Sequence, residues 1–173
     1  TKILVLIFVM SAFLFVMIEQ GIMTWLPTFN ERILNFSDSV TAATQENISI
    51  RMTSILVISL GIGRIIAGYL AQRFSWVSIL AVCLVLAMAM VQFVLPELVA
   101  GESAEINTFK DIPLAAFAFP VVGLFIAPIY PLLNSAVLSS LPQRLHSPMT
   151  GLIVVFSALG GTLGSRIIGY LFK

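Results

Sequence analysis

Glu19 and Gln20 stand side by side deep in a run of apolar residues that begins at Ile3. A carboxylate set in such a run is the group in this chain best suited to carry a proton. At a helical rise of about 1.5 Å per residue, Glu19 lies about 24 Å from the start of the run. A charge at that depth costs a few kcal/mol unless it is paired, protonated or facing water. Two readings stay open: an acid that lines a cavity or handles protons, or a side chain reaching past Gly21 to the outer surface. Gln20, with Thr24 one turn later, extends the polar patch. Tyr130 and Asn134 are four apart and share one helix face, just after Pro128 and around Pro131. Broken helices near the midplane are where membrane carriers hold their solutes. Asn134 can hydrogen-bond a polar solute there; equally, it can bond a neighbouring helix or a carbonyl freed by proline.

Arg64 interrupts a second apolar run, about 13 Å from Arg73 at its end. Long arginines reach over part of such a distance, so Arg64 fits pairing with carbonyls or an acid, or direct contact with a ligand. Arg166 lies nearer the end of its own run and reads as a side chain reaching for the interface. The pairs Gly160-x-x-x-Gly164 and Gly161-x-x-x-Ser165 put small residues on one helix face, which lets a neighbouring backbone approach closely.

Other chemistries are thinly represented. Cys83 is the one cysteine and His146 the one histidine, so neither a disulfide framework nor a Cys/His metal set is expected. No nucleophile–base pair falls at plausible depth, and neither an enzyme nor a cofactor is expected. A net charge of +1 argues against a nucleic-acid partner.

The elements that must carry these residues follow from composition. With 59% apolar and 10% charged residues and a mean hydropathy of +1.06, the chain lacks the roughly 25% charge of soluble domains. It needs lipid as part of its solvent. The fold class is all-α: a polytopic membrane bundle of five helices, over residues 3–26, 52–71, 77–95, 112–140 and 149–172. Trp25 suits the interfacial belt, and Pro27 and Pro96 are expected to end the first and third spans. Residues 28–50 read as a surface loop with a helical turn or two. Arg73–Trp76 reads as a tight reversal, and Glu97–Asp111 as an acidic loop. The fourth span is too long for an untilted helix and holds Pro120, Pro128 and Pro131, so a kink or break is expected. All seven loop acids fall on one side, but the cations divide three against four. Orientation follows cations rather than net charge, and the short-loop face is read as cytoplasmic. The chain opens on Thr1, and is expected to be a segment of something longer.

Three places carry a family resemblance: Gly63-Arg64-x-x-x-Gly68-x-Leu70-x-x-Arg73-Phe74, Pro128-Ile129-Tyr130-Pro131, and Ser157-Ala158-Leu159-Gly160-Gly161 after Pro148-Met149-Thr150-Gly151. They resemble the eighth, tenth and eleventh spans of the major facilitator superfamily, nearest its fucose–galactose–hexose:proton symporter (fucose permease-like) branch. Of that superfamily's loop signature Gly68 and Arg73 are present, whereas Gln72 replaces the acid, Ser75 the glycine, and Trp76 and Val77 the basics. The resemblance implies the C-terminal half of a twelve-span carrier, spans seven to eleven, with an N-terminal half and a twelfth span as partners. It further implies alternating access, a small sugar or similar polar metabolite as substrate, proton symport, and a bacterial cytoplasmic (inner) membrane. In that frame Glu19, Gln20, Trp25, Tyr130 and Asn134 line the cavity, with Tyr130 or Trp25 against a sugar face. Gly63, Arg64, Gly68, Arg73, Gly160, Gly161 and Gly164 serve gate and packing. Two alternatives remain: an exporter of amphiphilic compounds in the same superfamily, and a non-transporting scaffold or receptor.

Overall fold

Apolar runs in which each turn offers Leu, Ile, Val or Phe on all sides fold here into α1 (Lys2–Ile33), α2 (Ala42–Leu70), α3 (Trp76–Ala100), α4 (Leu114–Ile126), α5 (Ile129–Ser139) and α6 (His146–Leu171), with short 3₁₀ turns at Phe109–Asp111 and Gln143–Leu145. The computed structural model describes residues 2–100 and 105–172, and their side chains except at positions 2, 94–100, 115 and 119. Glu102 and Gly101 of the expected acidic loop lie outside the described residues. Five segments are long and apolar enough to cross a membrane: Ile3–Ile33, Ala42–Leu70, Trp76–Phe93, Ala116–Ser139 and Gln143–Leu171. The all-α membrane class expected from composition holds. In lipid only a helix can satisfy each backbone N–H and C=O within its own segment.

Helix ends depart from expectation. Pro27 does not stop α1, which continues to Ile33. Proline removes one N–H, but unwinding in apolar surroundings would strand several more polar groups. At 32 residues, α1 is about 48 Å long. It therefore exceeds the 40–45 Å of a whole bilayer, and its polar end extends beyond. The connection expected over residues 28–50 shrinks to residues 34–41, because α2 starts ten residues early, at Ala42. Likewise the backbone of α3 stays helical past Pro96 to Ala100. The fourth span does break, between Ile126 and Ile129. The break falls at Pro128 and not at Pro131, since Pro131 sits in the first turn of α5, where an N–H has no partner to lose. The reversal between α2 and α3 is tight as read; Ser75 Oγ accepts the Ser78 N–H at 3.2 Å and starts α3.

The chain divides into two compact units, Thr1–Trp25 with Pro128–Lys173, and Leu26–Ala127. In the second unit α4 packs on both α2 and α3. Gly63 meets the Leu124 carbonyl and Gly123 the Leu56 side chain, so α2 and α4 run in the same direction at close range. The connections beyond their ends share a small core of Leu34, Ile48, Met52, Ile106, Ile112 and Ala116. Ile106 N–H donates to the Asn35 carbonyl (2.9 Å) and Ser37 N–H to the Ile106 carbonyl (3.2 Å), which ties the two connections together. Asp111 Oδ2 accepts the Thr108 N–H (2.8 Å), the Thr108 hydroxyl (3.0 Å) and the Asn107 N–H (3.2 Å). These donors, the Thr108 N–H foremost, hold the Asp111 carboxyl below its ordinary value.

In the first unit α6 lies along α1, again in the same direction. A Cβ on Gly160 would strike the Phe13 carbonyl, and one on Gly164 the Met17 carbonyl. A methyl group at either position forces the helices apart, at about 1–3 kcal/mol. We expect Gly164→Ala to lower the thermal unfolding midpoint in detergent. Gly68→Ala, where nothing lies within 4 Å, should leave it unchanged. Because the Asp111 carboxyl is favoured as the anion, its contribution is complete above about pH 3.9 and is lost as pH falls through the lowered folded value. A carboxyl NMR titration should give a midpoint below the ordinary 3.8; one at or above it would contradict the cap.

Candidate functional site

The residues read as cavity-lining fall in the first unit: Glu19, Gln20 and Trp25 on α1, Tyr130 and Asn134 on α5. Glu19 is 7% exposed. It lies one turn beyond Phe15, whose ring stacks on Tyr130 with centroids 6.1 Å apart. The Tyr130 hydroxyl is 3.3 Å from Ser157 Oγ on α6, and Ser157 is itself buried. Under this layer Val9, Ala12, Val137, Met149 and Ile153 form the apolar floor, with Tyr130 packed against it. α5 and α6 thus bring a phenol and a hydroxyl together above an apolar base, and Glu19 is buried one turn beyond Phe15 on α1. Asn134, one turn after Tyr130, is half-buried and makes no hydrogen bond among the described residues.

Gln20 is exposed, and its Cγ lies 3.1 Å from where a Cβ on Gly161 would stand. Trp25 is more committed than a free stacking platform. Its Nε1–H donates to the Ser165 carbonyl at 2.7 Å, one ring face stacks on Phe172 at 5.6 Å, and its edge fills the space beside Gly169. Thr24 and Ser165 hydroxyls are 3.0 Å apart alongside.

The gate and packing residues divide. Gly160, Gly161 and Gly164 line the α1–α6 contact of the first unit, while Gly63, Arg64, Gly68 and Arg73 lie in the second. Gly63 is buried, but Arg64 and Gly68 are exposed. No close approach by the described residues requires glycine at position 68. The Arg73 guanidinium lies over the Tyr69 ring, 5.6 Å from its centroid, a cation–π contact of about 0.5–1 kcal/mol at an exposed site.

Sequence reasoning did not single out Phe15 or Ser157 as parts of the cluster. Spacing offered a signal for both: Phe15 and Glu19 are one turn apart, and Ser157 falls on the buried stripe Met149, Ile153, Ser157, Gly160, Gly164. In the second unit Asn30 Nδ2 and Ser49 Oγ are buried without a hydrogen-bond partner among the described residues. Among these residues no group of three or more His, Cys, Asp or Glu side chains could hold a metal.

The Tyr130 and Ser157 hydroxyls and the Glu19 carboxyl are the hydrogen-bonding groups that α1, α5 and α6 bury. Tyr130→Phe removes only the hydroxyl and keeps the stack on Phe15, and should cost about 1 kcal/mol or less. Tyr130→Ala empties the space and should cost about 3 kcal/mol. Thermal unfolding of the two variants measures the difference.

Compared with models of protein families, residues 2–165 match the one described as Major Facilitator Superfamily. Comparison with curated proteins and with solved structures gave no match.

Proposed function

The chain belongs to the major facilitator superfamily, and on that premise we propose that this secondary transporter takes up a small sugar or similar polar metabolite together with protons. In this reading the chain supplies spans seven to eleven of a twelve-span body. An N-terminal half and a twelfth span complete it, in a bacterial cytoplasmic membrane. Solute binds near the midplane, and the halves rock about it to expose it to each side in turn.

The observation that supports the reading best is the buried Glu19 carboxylate on the α1 face that carries Phe15, whose ring meets Tyr130. A carboxyl kept in an apolar bundle is costly unless its charge is used or compensated. One that alternates between protonated and ionised states as the cavity opens to each side couples proton movement to solute movement. Asn134, Gln20 and the Tyr130 hydroxyl offer the donors and acceptors that a polyol needs. The Tyr130 ring offers an apolar face to the C–H side of a sugar. Arg64 and Arg73, with Gly63 and Gly68, belong to the gate at the short-loop face.

The test is transport by the full-length protein in proteoliposomes. Glu19→Gln should reduce pH-gradient-driven uptake by at least about tenfold, since an amide cannot carry the proton. Counterflow exchange, which moves no net proton, should persist. Undiminished gradient-driven uptake in Glu19→Gln would overturn the proton role.

A further inference from the structure

Past the Gly160 and Gly164 contacts, α1 and α6 border a surface groove of about 430 Å³ lined by Thr24, Trp25, Ser165, Arg166, Gly169 and Tyr170. We infer that this groove binds the phosphodiester headgroup of an anionic phospholipid, with Arg166 as the phosphate ligand.

Depth is the first argument. Along α1 the path from Lys2 to Trp25 is about 35 Å, and along α6 from His146 to Arg166 about 30 Å, against a hydrocarbon core of about 30 Å. The two helices run in the same direction and meet at this level through the Trp25–Ser165 hydrogen bond. Both measures put the groove at the same headgroup layer. Trp25 and Tyr170 are the ring types that favour that layer.

Charge is the second. Arg166 is exposed and has neither an ion pair nor a hydrogen bond among the described residues. A guanidinium presents a planar fork that matches two phosphate oxygens. The Thr24 and Ser165 hydroxyls, 3.0 Å apart, border the same space.

The third argument separates a lipid from a free anion. Leu163, Leu159 and Val155, which follow Arg166 back along the same side of α6, are 44%, 52% and 57% exposed. An acyl chain attached to the phosphate can lie along Leu163, Leu159 and Val155 towards the bilayer centre. Inorganic phosphate makes no use of that surface.

The full-length transporter in mild detergent, supplied with equal amounts of dioleoylphosphatidylglycerol and dioleoylphosphatidylcholine, can be read by native mass spectrometry. The wild type should retain the anionic lipid about fivefold over the zwitterionic one, the effect of one cation near the surface. Arg166→Gln should retain both equally, Arg166→Lys should fall between, and Arg144→Gln should match the wild type. If Arg166→Gln does not elute as a folded species, the reduced preference of Arg166→Lys carries the test. An undiminished preference in the folded Arg166 variants overturns the proposal. Displacement of the anionic lipid by millimolar inorganic phosphate also overturns it, by revealing a free-anion site. So does failure of a maleimide to label Tyr170→Cys in lipid-free detergent, which would reveal a protein segment in the groove.

Discussion

Carbonyl oxygens of Phe13 and Met17 lie where side chains of residues 160 and 164 would otherwise stand, and the arrangement of the first unit depends on that approach. Lipid tails are as apolar as leucine, so helices in a bilayer gain little from burying leucine against one another. Close packing and short-range polar contacts decide association instead. By bringing α6 onto the backbone of α1, the two glycines fix the level at which Ser157 and Ser165 face their partners. Tyr130 meets Ser157 and Trp25 meets Ser165 because the helices have no freedom to slide past this contact. In the second unit Gly63 against Leu124 and Gly123 against Leu56 do for α2 and α4 what Gly160 and Gly164 do for α6 and α1.

Apolar runs of span length made the five membrane segments legible in the sequence, since backbone polar groups in lipid have no alternative to a helix. The break in the fourth span was legible for a related reason. Three prolines in a run too long to cross straight leave few other arrangements. Helix ends were not legible, because Pro27 and Pro96 are strong stop signals in water and weak ones where unwinding strands several carbonyls. The early start of α2 was hidden by the polar stretch Thr44–Asn47, which resembles a loop and forms instead the solvated first turns of a helix. Its apolar residue Ile48 packs into the core of the two connections.

The candidate site was legible as types and spacing but not as partners. Glu19 stood out because any carboxylate does in such a run. Tyr130 and Asn134 stood out because they follow a proline break. Ser157 did not, since a serine in a glycine-rich helix usually bonds its own backbone, and only its place on the stripe from Met149 to Gly164 distinguishes it. Trp25 shows the reverse. Its type suggested a free aromatic face, while the Ser165 carbonyl, Phe172 and Gly169 occupy its N–H, one face and its edge. That commitment turns the residue from the cavity towards the groove beside Arg166.

The first unit is assembled from the two ends of the sequence, with all of Leu26–Ala127 between them. At synthesis rates of about 5–20 residues per second, α1 waits roughly 5–20 s before α5 begins to emerge, and longer for α6. During that interval the α1 face carrying Glu19 has none of its native neighbours from α5 or α6. The second unit, continuous in sequence, can close first. The Glu19 side chain is therefore enclosed by the first unit only after α5 and α6 have been made.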